Sequence, residues 1–269
     1  MLISFLTAAV IAGTPLVFAT LGEIMTEKAG NTNLGVEGMM FMGAIIGFLV
    51  GLSSNNPLLA MLGAAAAGGA GALLYAFLTV SLRANQIVCG LTLTIFGEGF
   101  ASFLGQSVMG SLVPAGIQTF FRPRPIPVLS SIPYIGEIFF TQDVFVYFGY
   151  VLILAATIYL FKTKQGLNLR AVGESAASAD ASGINVTAYK YIHIVLGGAL
   201  CGLGGAYMSL VTVPVWQENI IAGRGWIAVA LVIFASWNPI KALIGGFLFG
   251  GLSIIGFRLQ SMGIHVSQY

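Results

Sequence analysis

Long apolar stretches separated by short polar segments dominate the chain. A helix that crosses the hydrocarbon core of a bilayer needs about 20 mostly apolar residues. Eight stretches approach or reach that length: residues 2–20, 34–52, 58–80, 87–113, 144–161, 191–213, 226–236 and 242–257. The pattern predicts an all-α integral membrane protein, a polytopic helical bundle of eight to ten membrane helices that include half-spans. We expect residues 1–269 to form one transmembrane domain.

Two segments do not fit a plain crossing helix. From Trp226 to Trp237 a helix rises only about 17 Å, roughly half of the hydrocarbon core, so this piece is either a half-span or part of a longer span that takes in Arg224. The segment 23–37, EIMTEKAGNTNLGVE, places polar groups directly against the second apolar stretch. It predicts a helix broken inside the protein around a cavity, and a plain cytoplasmic turn is the alternative.

Residues 162–190 form the longest polar interruption between two clean apolar stretches. Its charged residues are mainly basic: Lys162, Lys164, Arg170 and Lys190 stand beside Glu174 and Asp180. The positive-inside bias predicts a cytoplasmic loop. Alternating crossings then place further basic residues inside (Lys28, Arg83, Lys241) and others outside (Arg122, Arg124, Arg224, Arg258). The Ala- and Ser-rich middle, residues 173–182, predicts one short helix that stops at Gly183, with a solvated loop as the alternative.

The second long connection, residues 114–143, contains five prolines, which exclude a continuous helix. It is expected to form an external loop. A stiff, extended run at residues 122–127 precedes a short apolar piece at residues 134–140. Three interpretations fit this segment: an external lid, a docking surface for an extracytoplasmic partner, and an ordinary loop.

Composition excludes several other classes of protein. With 57% hydrophobic residues, 7% charged residues and a mean hydropathy of +0.94, the chain is unlike soluble domains, in which about a quarter of residues are charged. A net charge of +2 without a basic cluster argues against nucleic-acid binding. The 36 glycines suit helix contacts in lipid, where small residues let backbones approach. Cys89 and Cys201 lie inside apolar stretches, so we expect neither a disulfide nor a metal site.

Catalytic motifs are absent from the sequence. No glycine-rich loop ends in Gly-Lys-Ser or Gly-Lys-Thr, so the ATP-binding motif of P-loop enzymes is missing. Neither His193 nor His265 has a Ser or Cys nucleophile with an orienting acid nearby in the sequence. The sequence therefore predicts a protein that is not an enzyme.

Polar residues at membrane depth carry the functional signal. Thr94, Glu98, Ser102 and Gln106 recur every four residues, which places them within one arc of the fourth helix. A carboxylate in lipid costs roughly 2.5–3.5 kcal/mol, so Glu98 is expected to face the bundle interior or a water-filled path. Polar contacts that merely hold helices together are the alternative.

A second polar group stands at the start of the second apolar stretch, where Asn31 and Asn33 precede Glu37. With the polar arc on the fourth helix, it offers the amide and carboxylate groups that a neutral, hydroxyl-rich solute needs. Helix capping by Asn31 or Asn33 explains these residues as well.

Four segments carry a resemblance to a known family: NTNLGVEGMMFMGA, GLTLTIFGEG, RAVGESAASADASGINV and AGRGWIAVALVIFASWNPIKALIGGFLFG. Together they resemble the permease subunits of bacterial ABC importers for simple sugars and nucleosides, in matching order and spacing from residue 16 to residue 257. The GVEGMM and GRGWIA forms look closest to the nucleoside branch.

The resemblance implies a multi-pass permease of the bacterial inner membrane that forms the path for nucleosides or a related simple sugar. It implies membrane lipids, cytoplasmic ATPase subunits and an extracytoplasmic solute-binding protein as partners, with ATP and Mg²⁺ on the ATPase and no cofactor in this chain. A second permease, similar but distinct, is expected, although pairing with an identical chain also fits.

The resemblance also assigns residues. By resemblance the path would contain Asn33, Glu37, Glu98, Arg224 and Trp226. The polar arc adds Thr94 and Ser102 to these expected path residues. A short helix over residues 173–183 would enter a groove of the ATPase and carry Gly173, Glu174, Asp180 and Gly183. Arg170, just before it, is the further residue expected to take part in coupling. The stretch 175–178, Ser-Ala-Ala-Ser, departs from relatives that often have basic or bulkier residues there, which puts the strength of docking in question.

Two other functions were compatible with parts of the sequence. A secondary transporter would carry a proton on Glu37 or Glu98, but further intramembrane acids and basic partners are lacking. A structural membrane scaffold explains neither the polar arc nor the short helix. The sequence therefore favours the ATP-driven importer.

Overall fold

The computed structural model describes residues 2–261 and the side chains of residues 2–256, so His265 and the side chain of Arg258 lie outside the described residues. Within this range the chain is helical, and one isolated bridge joins Leu112 to Val215. Seven helices are long and apolar enough to cross a membrane, and the shorter apolar helix Arg224–Phe234 makes an eighth element. This confirms the predicted all-α polytopic bundle.

Most helix bounds lie within a few residues of the apolar stretches, but the first helix runs eight residues past residue 20 and the fourth ends eight residues before residue 113. Over residues 2–261 the α-helices are α1 (Leu2–Lys28), α2 (Val36–Ser54), α3 (Pro57–Ala76), α4 (Gln86–Gly105), α5 (Ala115–Phe120), α6 (Ile135–Phe139), α7 (Val144–Lys162), α8 (Lys164–Glu174), α9 (Ala176–Ala181), α10 (Val186–Tyr207), α11 (Arg224–Phe234) and α12 (Pro239–Ser261). Single π-helical turns, Phe77–Ser81 and Met208–Thr212, extend α3 and α10.

Polar residues at the edges of the apolar stretches fix where helices begin. The side chains of Asn56, Asn85 and Asp143 accept hydrogen bonds from backbone N–H groups in the first turns of α3, α4 and α7. Pro57 occupies the first position of α3, where the missing N–H removes no helical hydrogen bond. These caps satisfy donors that the helix itself leaves unpaired.

Helix α10 lies at the centre of the bundle and packs against α1, α2 and α3. Glycines permit these contacts. A Cβ atom added to Gly43 would overlap the backbone of Gly202, and one added to Gly68 would overlap the carbonyl of Gly198. The helices therefore touch backbone to backbone, as the small-residue spacing predicts for association in lipid.

The outer helices present apolar side chains to their surroundings. Ile95 on α4, Leu154 on α7 and Leu248 on α12 are all more than half exposed. In water such a surface would be unfavourable, whereas lipid tails solvate it. The exposed apolar surface is thus suited to the hydrocarbon core of a bilayer.

The polar segment 162–190 differs from the predicted single helix over residues 173–182. Helix α8 begins nine residues earlier, at Lys164, and α9 follows after a break at Ser175. The break has a local cause, because the Ser175 side chain accepts a hydrogen bond from the Ser178 N–H and so caps α9. Gly183 then adopts a φ of +79°, the left-handed geometry in which helices commonly end.

Residues 114–143 pack back onto the bundle. The extended run is held by Arg124 N–H donating to the Gln142 carbonyl (2.9 Å) and Ile126 N–H donating to the Phe140 carbonyl (3.0 Å). The short apolar piece predicted at residues 134–140 is α6, which contacts α1. At the end of the segment Asp143 is buried, which raises its pKa, although the cap N–H groups and the Tyr207 hydroxyl oppose that shift.

Candidate functional site

Residues 29–35 form an irregular turn inside the protein, here called the buried turn. Helix α1 extends past the expected end at residue 20, through Glu23 and Glu27 to Lys28, before the turn begins. Asn31 and Asn33 are 1% and 0% exposed. The two asparagines are thus enclosed by protein, whereas Thr32 is exposed and Gly30 contacts Gly173 of α8. A helix broken around a cavity and a plain cytoplasmic turn both stay predictions.

Side chains from neighbouring helices satisfy the backbone of the buried turn. One carboxylate oxygen of Glu23 accepts the Asn33 N–H at 2.9 Å, and the Tyr75 hydroxyl donates to the Thr32 carbonyl at 2.6 Å. Irregular backbone is tolerated at membrane depth only where its polar groups find such partners. Glu23, which the polar pattern did not single out, is therefore a main support of this turn.

Two predicted path residues, Asn33 and Thr94, belong to the same network. The Asn33 Oδ1 accepts the Gly35 N–H at 2.8 Å, and the Thr94 hydroxyl donates to the Leu34 carbonyl at 2.8 Å. The N-cap of α2 is Gly35, and no side chain caps it. Capping of α2 by Asn31 or Asn33 is therefore wrong. Asn33 supports the turn itself, and Asn31 Nδ2 donates to Thr79 Oγ1 in the π-helical turn after α3.

Glu37 caps a helix far away in the sequence. Its Oε1 accepts the Gly223 N–H at 2.8 Å, and its Oε2 accepts the Gly225 N–H at 2.5 Å. Both donors lie at the start of α11, where the helix dipole favours a negative charge. Glu37 is 4% exposed, so its carboxylate is largely committed to this contact.

The length of α11 confirms the half-span interpretation. Its 11 residues rise about 16 Å, too little to cross a bilayer. The Arg224 guanidinium donates from Nη1 to the Ile221 carbonyl at 2.9 Å and lies half-buried next to the Glu37 contact. Trp226, the third residue of the helix, is 42% exposed and thus offers an aromatic surface.

The polar arc on α4 splits between two faces. Thr94 is buried against the turn, whereas Glu98, Ser102 and Gln106 are exposed. The reason is geometric, because a four-residue step turns a helix by about 400° and each member is therefore displaced by about 40° from the last. Glu98 therefore does not face the interior of this chain's own bundle, and its position on a water-filled path stays a prediction.

Exposed polar groups from the connection before α11 lie next to Ser102. A shallow depression there is lined by Ser102, Phe41 and the segment Gln217, Glu218 and Asn219. We call the exposed group of Glu98, Ser102 and residues 217–219 the open polar face. Sequence reasoning missed residues 217–219, although a Gln-Glu-Asn run directly before an apolar half-span was a usable signal.

The predicted ATPase-contact residues divide between α8 and α9. Gly173 packs against the Lys28 carbonyl and Gly30, and the Arg170 guanidinium lies 5.5 Å from the ring centroid of Phe161. Glu174 is exposed at the end of α8. On α9 the structure places Asp180 at the surface, followed by Gly183. Gly173 and Arg170 therefore hold α8 on the bundle, whereas Glu174, Asp180 and Gly183 are accessible.

A polar and aromatic cluster connects α8 to two membrane helices. The Tyr159 hydroxyl lies 2.7 Å from His193 Nε2, and His193 Nδ1 lies 2.6 Å from the Tyr189 carbonyl. Because a carbonyl can only accept, Nδ1 carries the proton and Nε2 accepts from Tyr159 in the neutral ring. The Asn168 amide on α8 donates to the Tyr189 hydroxyl at 3.0 Å. We name these four residues the His193 cluster.

Metal-ligating residues do not gather in the part of the chain that the structure describes. No group of three or more His, Cys, Asp or Glu residues within residues 2–261 could hold a metal ion. Cys89 and Cys201 are free thiols, and Cys201 is buried.

Comparison with known proteins identifies close relatives over nearly the whole chain. The nucleoside ABC transporter permease protein NupC of Lactococcus lactis is 38% identical, and the match covers 94% of this chain and 82% of the relative. The guanosine ABC transporter permease protein NupQ of Bacillus subtilis is 35% identical with the same coverage. TsgC13 of Haloferax volcanii, which is described as a candidate glucose ABC transporter permease protein, is 38% identical. That match covers 96% of this chain and 78% of the relative.

A solved structure and a family description agree with these relatives. An inward-facing ABC transporter described as metal-chelate type has a TM-score of 0.51 and 15% identity over 92% of this chain and 74% of its own, which supports the fold alone. The family described as branched-chain amino acid transport system, permease component, matches residues 5–265. The chain therefore belongs to this family and is a multi-pass membrane permease subunit of an ABC transporter.

Proposed function

We propose that the chain is the permease subunit of an ATP-driven importer for nucleosides, with a related simple sugar as the other solute class. The observation that carries this proposal is the similarity to two permeases of nucleoside systems, each matched over 94% of this chain. The similarity to TsgC13 supports the sugar alternative.

The open polar face has suitable chemistry for a neutral solute. Ser102, Gln217 and Asn219 offer hydroxyl and amide groups, and Glu98 offers a carboxylate that accepts from sugar hydroxyls. Trp226 presents an aromatic ring on which a nucleobase can stack. A formally neutral solute does not require the cationic clamp that a phosphate needs.

Asn33, Glu37, Thr94 and Arg224 support the path instead of contacting the solute. Their hydrogen bonds go to the buried turn and to the start of α11. They hold the two broken helices in place, so that the open polar face keeps its geometry. The proton-coupled alternative is not supported, because the Glu37 carboxylate accepts two backbone N–H groups.

The second permease is a similar but distinct chain in this proposal. Bacillus subtilis has both NupQ and NupP, which are 35% and 25% identical to this chain. Haloferax volcanii likewise has both TsgC13 and TsgB13, which are 38% and 25% identical. Two identical chains would also bring two Glu98 carboxylates to a shared path in a medium of low dielectric, where like charges repel strongly.

The ATPase docks on α8 and α9, on the cytoplasmic side of the membrane. ATP and Mg²⁺ bind to the ATPase and not to this chain. Glu174, Asp180 and Gly183 are accessible for that contact, whereas Arg170 and Gly173 join α8 to the bundle. The His193 cluster then links α8 to α7 and α10. On the opposite side, residues 114–143 provide the surface on which an extracytoplasmic solute-binding protein docks.

Reconstitution tests the proposal directly. The chain is co-expressed with its ATPase, second permease and solute-binding protein, and uptake of labelled guanosine and labelled glucose into proteoliposomes is measured with trapped ATP. We expect guanosine uptake that stops without ATP or without the ATPase. Uptake that needs only a proton gradient would contradict the importer, and uptake of glucose alone would move the assignment to the sugar class.

A further inference from the structure

The last turns of α1 carry two acidic residues four positions apart, Glu23 and Glu27. Residues at this spacing lie on the same face of a helix, so their side chains are neighbours. Here the two carboxyl groups are in hydrogen-bond contact with each other. Two ionised carboxylates repel at such a distance, and neither can donate a hydrogen bond to the other. A hydrogen bond between them therefore needs a proton on one of the two.

The surroundings of Glu23 point to the atom that holds this proton. Glu23 is 0% exposed, and its Oε1 accepts the Asn33 N–H at 2.9 Å. Its Oε2 has less than 1 Å² of accessible surface and, as a carboxylate oxygen, no hydrogen-bond partner. A buried ionised oxygen without a partner is costly, and protonation removes that cost. A protonated Oε2 becomes a donor, and the neighbouring carboxylate of Glu27 is its acceptor.

Other groups around Glu23 do not supply the missing hydrogen bond. The Tyr75 hydroxyl and the Cys201 thiol both donate to backbone carbonyl groups. Among the described residues no basic side chain attracts Glu23, whereas Lys28 attracts Glu27. With so little accessible surface, Oε2 has no room for a water molecule or a metal cation. A water molecule would also leave two like charges in contact, which a proton does not.

We propose that Glu23 and Glu27 share one proton, held between Glu23 Oε2 and the Glu27 carboxylate, and that this proton closes a clamp at the end of α1. The pair then carries a single negative charge, which lies beside Lys28. Binding or release of the proton makes or breaks one O–H bond and involves no other reactant. The proton belongs to the pair as a unit, because the two groups titrate together.

The clamp joins three segments of the chain. Glu23 accepts the Asn33 N–H of the buried turn, and Glu27 Oε2 accepts the indole N–H of Trp237. Trp237 lies in the short connection between α11 and α12. Glu37 holds the first residues of α11, so carboxyl groups attach the half-span near both of its ends.

Glu27 connects the buried proton to solvent. It is half-buried and lines a cavity of about 720 Å³ beside α8, which Glu23 does not line. The other charged groups that line this cavity are Lys28, Arg170 and Glu174. In alkaline solution the proton leaves through Glu27, and the two carboxylates repel. The clamp then opens at Trp237, because Glu27 is the member of the pair that has space to turn toward the cavity.

Loss of the proton has a consequence for transport, which rests on the proposed function. The cavity faces the cytoplasm in that proposal, so the internal pH sets the protonation of the pair. With the clamp open, α11 is attached at its first turn alone, and its movements no longer reach α1 and the buried turn. Uptake for each ATP hydrolysed therefore falls as the internal pH rises.

The shared proton is tested on the purified full-length chain, by infrared spectroscopy and by Tm between about pH 6 and about pH 9. The central variant is Glu23→Gln, because its amide reproduces the protonated carboxyl group: Oε1 accepts the Asn33 N–H, and Nε2 donates to Glu27. The matched control is Glu174→Gln, which changes an exposed carboxylate at the same cavity.

We expect the difference spectrum between wild type and Glu23→Gln at neutral pH to contain the C=O stretching band of a protonated carboxyl group. The control Glu174→Gln should keep that band. Because the folded state binds one more proton than the unfolded state, wild-type Tm should fall by roughly 3 °C per pH unit relative to Glu23→Gln as the pH rises. Absence of the band overturns the inference. A Glu23→Gln chain that is less stable than wild type at neutral pH, or that does not fold, overturns it too.

The clamp is tested with the complete transporter in proteoliposomes that contain ATP. The readout is guanosine uptake for each ATP hydrolysed, at internal pH values of about 7 and about 9. We expect this ratio to fall about fivefold in wild type at the higher pH and to stay constant in Glu23→Gln. A constant ratio in wild type overturns the clamp. Absence of uptake at both pH values, with the infrared band present, would contradict the proposed function and support the shared proton, so the two failures are distinguishable.

Discussion

The carboxylate of Glu37 accepts the backbone N–H of Gly225 at 2.5 Å, across 188 positions of sequence. Glu37 is the second residue of α2, and Gly225 is the second residue of α11. A Cβ atom at position 225 would overlap the backbone of Glu37, so the glycine is required for the approach. One side chain thus sets the relative position of two helices that both begin inside the protein.

Substitution of Glu37 tests this contact. Glu37→Gln keeps one acceptor oxygen but loses the charge and the second acceptor, and leaves a buried N–H without a partner. We expect a loss of roughly 1–3 kcal/mol in folding stability, seen as a lower Tm of the purified chain, and a reduced rate of uptake. Glu98→Gln removes the charge of an exposed carboxylate and should leave Tm unchanged. Equal Tm values for wild type and Glu37→Gln would argue against the capping role.

Substitution of Glu98 tests whether the open polar face contacts the solute. Glu98→Leu removes the carboxylate that is expected to accept from a solute hydroxyl, so the KM for guanosine uptake should rise roughly tenfold while Tm stays constant. Phe103→Leu is the control, since Phe103 is exposed about 140° around the same helix. A change in Tm with no change in KM would show that Glu98 only supports helix association.

Charge reversal tests the docking surface on α8 and α9. Glu174→Lys combined with Asp180→Lys should preserve insertion of the chain in the membrane but weaken its contact with the ATPase. We expect ATP hydrolysis to continue with less than about a tenth of wild-type uptake, as measured in parallel on the same vesicles. Lys164→Gln, which alters an exposed charge at the start of α8, serves as control. Wild-type uptake in the double variant would remove these residues from the coupling surface.

Substitution in the His193 cluster tests whether a movement of α8 is transmitted to the membrane helices α7 and α10. Tyr159→Phe removes the hydroxyl that lies 2.7 Å from His193 Nε2, at a cost of about 1 kcal/mol in stability. We expect solute-stimulated ATP hydrolysis to decrease while basal hydrolysis remains. Ser253→Ala removes an exposed hydroxyl on α12, outside every surface proposed above, and should change neither rate. Unaltered stimulation in Tyr159→Phe would restrict the cluster to a structural role.

The number and order of the spans could be read from the sequence because a bilayer imposes one length on every crossing helix. The half-span α11 could be recognised for the same reason, since its apolar stretch was too short. The end of α1 could not be predicted in this way. Glu23 lies within the helix because its carboxylate accepts the Asn33 N–H, and counting apolar residues does not reveal that partner.

The orientation of side chains was harder to predict than the helices. The arc through Thr94 and Glu98 assumed that a four-residue repeat stays on one face, but a drift of about 40° per step separates a buried hydroxyl from an exposed carboxylate. The break at Ser175 depended on one side-chain hydrogen bond. The role of Glu37 depended on a donor from the far end of the chain, which a local reading of sequence does not reveal.

The glycine contacts of α10 determine what kind of motion the chain can make. Gly43 and Gly68 meet α10 with no side chain between the backbones, and Gly22 on α1 meets Gly197 in the same way. Such contacts have no rotamers through which neighbouring helices could adjust to each other. We therefore expect α1, α2, α3 and α10 to tilt as a rigid body, so that the gates of the transporter open at the border with the second permease.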